Sequence, residues 1–144
     1  MNRKAINRAT IRLVEERLKQ YPFDKRLVEA WETERRELAG DIQSSAGRLG
    51  EILKGTGLHS DPTFAKVVRL DRMAQQVDEA RWYVQAIDDV MDLLTGPDRR
   101  LIEMKYFENK SDVAICNELH ISQSKFYAIR RRALTLFARR MGLS

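Results

Sequence analysis

Apolar residues recur at helical spacing along most of this chain. Over residues 3–20, Ala5, Ile6, Ala9, Leu13, Val14 and Leu18 form one stripe, with Arg8, Arg12, Glu15, Glu16 and Lys19 around the remainder. Tyr21-Pro22 predicts a stop, because the residue before a proline avoids the helical region. Asp24 then caps a second helix that turns Leu27, Val28, Trp31 and Leu38 inward. Two such helices predict an antiparallel hairpin. From Gly40 to Ser60 the pattern blurs: Gly40, Gly47, Gly50, Gly55 and Gly57 interrupt it, which reads as a helix fraying to about Lys54 and then a loop. Ser60 or Asp61 with Pro62 opens the next helix, since proline suits a first helical turn.

The following segment, 63–94, carries the most regular pattern. Leu70, Met73, Val77, Ala80, Val84, Ile87, Met91 and Leu94 recur at alternating steps of three and four, an unbroken heptad seam. A helix this long has to bury that seam. Two burials satisfy it: a bundle with the first two helices of the same chain, or a homodimer in which Leu70, Met73, Val77, Ala80, Val84, Ile87 and Met91 meet a second copy. Trp82 and Tyr83 lie off the seam and face either the hairpin or the C-terminal domain. Thr95-Gly96-Pro97 ends the long helix and starts another, with Asp98 in its first turn. Leu101, Ile102, Met104, Tyr106 and Phe107 supply a core behind it.

The last pattern, residues 111–134, predicts two helices joined by a tight turn. Ser111 caps the first, with Asp112 at its positive end, and Ile115 and Leu119 share a face. His120 and Ile121 sit at the turn. Ser122 caps the second helix, and Ile121 packs on Phe126 as a hydrophobic staple. Phe126, Ile129 and Ala133 continue inward. Gln123, Ser124, Lys125, Tyr127 and Arg130 point elsewhere. A second helix that begins polar and ends basic has the form of a major-groove reading helix.

The run Ile115-Cys116, Leu119-His120-Ile121-Ser122, Phe126, Ile129, Ala133-Leu134 resembles the helix-turn-helix of sigma-factor region-four domains, whose pattern is Ile-Ala, Leu-Gly-Ile-Ser, Val or Ile, Ile, Ala-Leu. The block LLTGPDRRLIEMKYFENKS resembles the entry to that domain, and the likeness covers roughly residues 84–140. The whole chain is similar in layout to phage late-transcription activators of the RinA and ArpU type, with Leu18 to Pro22 matching an LxxYP-like element. His120 stands where that family carries a turn glycine, and histidine tolerates the left-handed backbone such a turn needs. Cys116 stands for a small alanine. The helix-turn-helix core is then Ile115, Cys116, Leu119, Ile121, Phe126, Ile129 and Ala133.

Fold class follows as all-α. Residues 1–60 form the hairpin and glycine-rich loop, 61–94 a long connecting helix, and 84–144, overlapping its end, a sigma-region-four-like helix-turn-helix domain. The whole chain has 144 residues, 43% hydrophobic and 33% charged, with 7 Gly and 3 Pro, which suits helices around a core. No apolar run approaches the ~18–20 residues of a membrane span. The first residues lack the apolar centre of a secretion signal. One Cys excludes an internal disulfide, and together these features predict a cytoplasmic protein held at the nucleoid through DNA. Asn109-Lys110-Ser111 matches a glycosylation sequon and reads as chance.

Charge sharpens the division. The net +5 arises entirely after residue 96: residues 1–96 hold 16 Lys/Arg and 16 Asp/Glu, residues 97–144 hold 10 and 5. A neutral half joined to a basic half predicts a polyanionic partner at one end. The family resemblance places base reading at Gln123, Ser124, Lys125, Tyr127 and Ala128. Gln bonds an adenine edge, Lys donates to guanine, and Ala touches a thymine methyl. Arg130, Arg131 and Arg132, consecutive at 100° steps, cannot all face DNA. With Arg99, Arg100, Lys110, Arg139 and Arg140 they are phosphate candidates, as are Ser111 and Ser122 through their helix N-termini, although capping alone explains both serines.

The pattern offers no catalytic constellation. His59 and His120 have no second ligand at metal spacing. Cys116 falls on the packed face, a solvated helix face explains Asp88, Asp89 and Asp92, and no Lys-Ser/Thr follows Gly55-Thr56-Gly57 as a phosphate loop requires. The expectation is a non-enzyme without metal or cofactor that binds double-stranded DNA and, by the family resemblance, regulates late phage or prophage genes through the host RNA polymerase. Two alternatives are a small-terminase-like packaging protein, and a helical polymerase- or sigma-binding protein with no DNA specificity of its own.

Overall fold

A computed structural model describes residues 6–44 and 62–143, and every element among them is helical. The helices are α1 (Arg8–Ser44), α2 (Pro62–Leu93), α3 (Gly96–Ile102), a five-residue π turn (Glu103–Phe107), α4 (Asp112–Leu119) and α5 (Gln123–Arg140). No helix among the described residues is long and apolar enough to cross a membrane. The glycine-rich stretch after residue 44 and the Ser60/Asp61 cap lie outside the described residues. α2 is described from Pro62 onward.

The expected break at Tyr21-Pro22 does not occur. α1 is one helix of 37 residues with Pro22 inside it, so there is no hairpin of two short helices. An internal proline costs about 3 kcal/mol, because it removes one N–H and crowds the preceding turn. Here apolar residues are buried on both sides of it, Val14 and Leu18 before the proline and Val28 and Leu38 after it, and Asp24 is buried in the helix instead of capping one. Burial of one aliphatic side chain contributes about 1.5–3 kcal/mol, so a few such residues on each side outweigh the proline.

The chain groups into two compact units, Asp24–Arg81 and Met1–Phe23 with Trp82–Ser144. In the first, α1 and α2 run antiparallel: Glu32 meets Arg81, Glu34 meets Arg69 and Asp41 meets Lys66. Val28, Val77 and Ala80 are the buried centre, flanked by Leu27, Trp31 and Met73. The Trp31 indole donates to the Leu70 carbonyl at 3.1 Å. In the second unit, Val14 and Leu18 of α1, with Ala86, Ile87, Val90, Met91 and Leu94, close over residues from α3, the π turn, α4 and α5. The heptad seam is therefore covered by the chain's own helices. Leu70, Val77, Ala80, Ile87, Met91 and Leu94 are buried, while Met73 and Val84 are half-buried. Ala86 and Val90 are buried beside it, so the face is wider than a strict seam, as in a globular core.

Around α4 the local predictions hold. Ser111 Oγ accepts from the Ala114 N–H at 3.2 Å, and Ser122 Oγ from the Lys125 N–H at 3.1 Å. His120 is left-handed, with φ 54° and ψ 46°. A residue with a Cβ costs about 1–2 kcal/mol there, whereas glycine would cost about 0.5–1 kcal/mol in unfolded-state entropy, so histidine is a mild substitute. Two features had no counterpart in the sequence pattern. Asn109 is also left-handed, with φ 55°. The π turn closes with the Glu108 N–H donating to the Glu103 carbonyl at 3.0 Å, and the wider turn carries Tyr106 inward while Phe107 stacks on Tyr21 at 4.6 Å.

Candidate nucleic-acid interface

α5 is amphipathic in a way that separates support from presentation. Phe126, Ile129, Ala133, Leu134, Phe137 and Ala138 are buried. Ile115 is buried with them, and Cys116, Leu119 and Ile121 pack against the same cluster. On the other face, Gln123, Ser124, Lys125, Tyr127 and Ala128 are all exposed, with Tyr127 47% accessible. The five residues singled out as base readers thus share one accessible surface at the start of α5. Tyr127 lies edge-on to Phe126, with ring centroids 5.4 Å apart.

The basic residues divide into two sets. Arg99 pairs with Glu103 at 3.4 Å, Arg100 with Glu108 and Glu118, Lys105 with Asp112 at 2.7 Å, and Lys110 with Glu118 at 2.9 Å. Arg132 pairs with Asp98 at 2.6 Å, and Arg140 with Asp89 at 2.9 Å while lying over the Trp82 ring at 5.6 Å. Such exposed pairs contribute at most about 1 kcal/mol each, so they leave the side chains able to exchange a carboxylate for a phosphate. The cations of Lys125, Arg131 and Arg139 have no ionic or ring partner among the described residues, and all three project from α5. Ser111 and Ser122 are engaged as caps.

Of the three consecutive arginines, Arg130 is the one held by α1. It is turned into the domain, where its guanidinium meets Glu15 of α1 at 3.0 Å. Glu15 also accepts from the Tyr106 hydroxyl at 2.7 Å. Burial works against the Glu15 charge, but the hydrogen bonds from Tyr106 and Arg130 outweigh it and hold the carboxyl below its ordinary value. Burial, reinforced by Glu15, pushes the Tyr106 hydroxyl far up, so it stays a donor. Arg130 follows Phe126 and precedes Leu134 by four residues, a phase that marks it as inward; Glu15 and Tyr106, 91 residues apart, have no such signal. Nearby, Ile11 of α1 lines a shallow depression with Tyr127, Ala128, Arg130, Arg131 and Arg132.

This cluster predicts a pH effect. A carboxyl with a depressed native pKa stabilises the fold above its unfolded pKa, and that contribution is lost as pH falls through the folded value. Glu15→Gln should therefore melt below the parent at neutral pH, with the gap closing in acid below about pH 4. Thermal melts across pH 3–7 measure it, and a gap that stays constant would assign the loss to packing alone.

Compared with family models, with curated proteins and with solved structures, the chain gives no match in any of the three.

Proposed function

We propose that this protein is a sequence-specific double-stranded DNA-binding transcription regulator, with α4 and α5 acting as a sigma-region-four-like helix-turn-helix. The observation that carries the reading is the division of α5: one face is locked into a core, and the other presents Gln123, Ser124, Lys125, Tyr127 and Ala128 beside unpaired cations. The opening turn of α5 enters the major groove, where Gln123 and Lys125 select base edges and Ala128 meets a methyl group. Arg131 and Arg139 neutralise phosphates, which makes affinity depend on salt through counterion release. The likeness to RinA- and ArpU-type proteins extends the reading to an activator of late phage or prophage genes that works with the host polymerase, an analogy of layout.

Selection of bound duplexes from random DNA with the purified protein tests the reading directly: a recovered motif supports it, and random recovery at low salt sinks it. At the recovered site, Gln123→Ala and Lys125→Ala should each cost about 1–3 kcal/mol and relax the preference at one position. An equal loss on random DNA would make them backbone contacts.

A further inference from the structure

The start of α1 lies beside α5, and the contacts between them fix its rotational phase. Ile11 shares a depression with Tyr127, Ala128 and Arg131, and one turn on, Glu15 reaches Arg130 and Tyr106. Val14 and Leu18 point into the core. At about 100° per residue, Glu15 lies about 40° round the helix from Ile11, and Arg8 and Arg12 follow at about 60° and 100° in the same sense. Rotation therefore runs from the core, past the residues that touch α5, to these two arginines on the border next to the outer face of α5. Both are exposed, and neither has an ionic or ring partner among the described residues. Glu15, the carboxylate nearest that border, is already held by Arg130; Glu16 lies further round on the solvent side.

Resting on the DNA-binding reading above, the geometry points to Arg8 and Arg12 as contacts to the DNA backbone beside the groove that α5 reads. With Arg131 they make a cationic strip built from two helices far apart in sequence. Its ligand is the phosphodiester backbone, without regard to base, so the footprint extends beyond the helix-turn-helix and α1 becomes part of the binding surface.

The test measures binding of the full chain by fluorescence anisotropy, on the selected duplex and on a random one, over a range of salt. With Arg8→Ala and Arg12→Ala combined, affinity should fall by a similar factor on both duplexes. The log–log salt slope should become shallower by roughly 2, since each lost phosphate contact removes about 0.9. Arg8→Lys with Arg12→Lys should keep the parent slope, because charge is what the contact needs. The melting temperature should not move; should alanine disturb folding, the paired Gln variants read the same slope. An unchanged slope with normal parental binding overturns the strip and leaves base reading by α5 intact. Failure of the parent to bind any duplex at low salt overturns both.

Discussion

A fragment beginning at residue 82 is expected to lose cooperative unfolding, although it contains α3, the π turn, α4 and α5 complete. The sequence places the domain boundary near residue 84, but its core is closed from outside that range. Val14 and Leu18 are fully buried against the residues of α2 to α5, and Glu15 satisfies Tyr106 and Arg130. Two aliphatic side chains contribute about 3–6 kcal/mol between them. Removing Glu15 leaves a half-buried guanidinium and a buried hydroxyl unmatched, at about 1–3 kcal/mol each. Against a total stability of about 5–15 kcal/mol for a typical domain, the sum removes most of the margin. A broad, shallow thermal transition by circular dichroism is the predicted result; a sharp melt from residues 82–144 alone would show that α1 is dispensable.

Phe126→Ala should be the most damaging single substitution in α5, at about 3–5 kcal/mol. The ring is fully buried, with Tyr127 edge-on at 5.4 Å and the Lys105 ammonium 5.7 Å from its centroid. A loss of that size lowers the melting temperature by more than about 10 °C in a domain of this length. Tyr127→Ala, one residue along and exposed, should change stability by about 0.5 kcal/mol or less and, on the proposed function, should weaken DNA binding. That contrast checks the rotational phase of α5, on which the whole interface depends: similar melting losses from the two variants would mean that the helix is rotated from the face described.

The parts of the structure legible in the sequence are those set by short-range rules. Ser111 and Ser122 cap where hydroxyls precede apolar runs, His120 takes the left-handed turn, and the heptad seam is buried on one face of a single helix. What was not legible came from competition between levels. Tyr21-Pro22 reads locally as a stop, yet the helix runs through it, with Val14 and Leu18 buried before the proline and Val28 and Leu38 after it. The part played by α1 beside residues 82–144 was hidden for the same reason: α1 contributes to two cores, and nothing in its pattern says which partner each turn meets. The inward turn of Arg130 follows from its phase between Phe126 and Leu134, whereas its partner Glu15 lies too far along the chain for any local pattern to reveal.

The internal pairing of most C-terminal arginines and lysines has a further consequence for how such a regulator would find its target. Among the described residues, the cations of Lys125, Arg131 and Arg139 in α5 have no ionic or ring partner, whereas Arg130, Arg132 and Arg140 each hold a carboxylate. On the proposed reading, each paired cation would give up a carboxylate before it meets a phosphate, which would lower the gain from each contact on random duplex and shift discrimination to the polar opening turn of α5. Such a protein would sample a genome by frequent dissociation in place of long sliding runs.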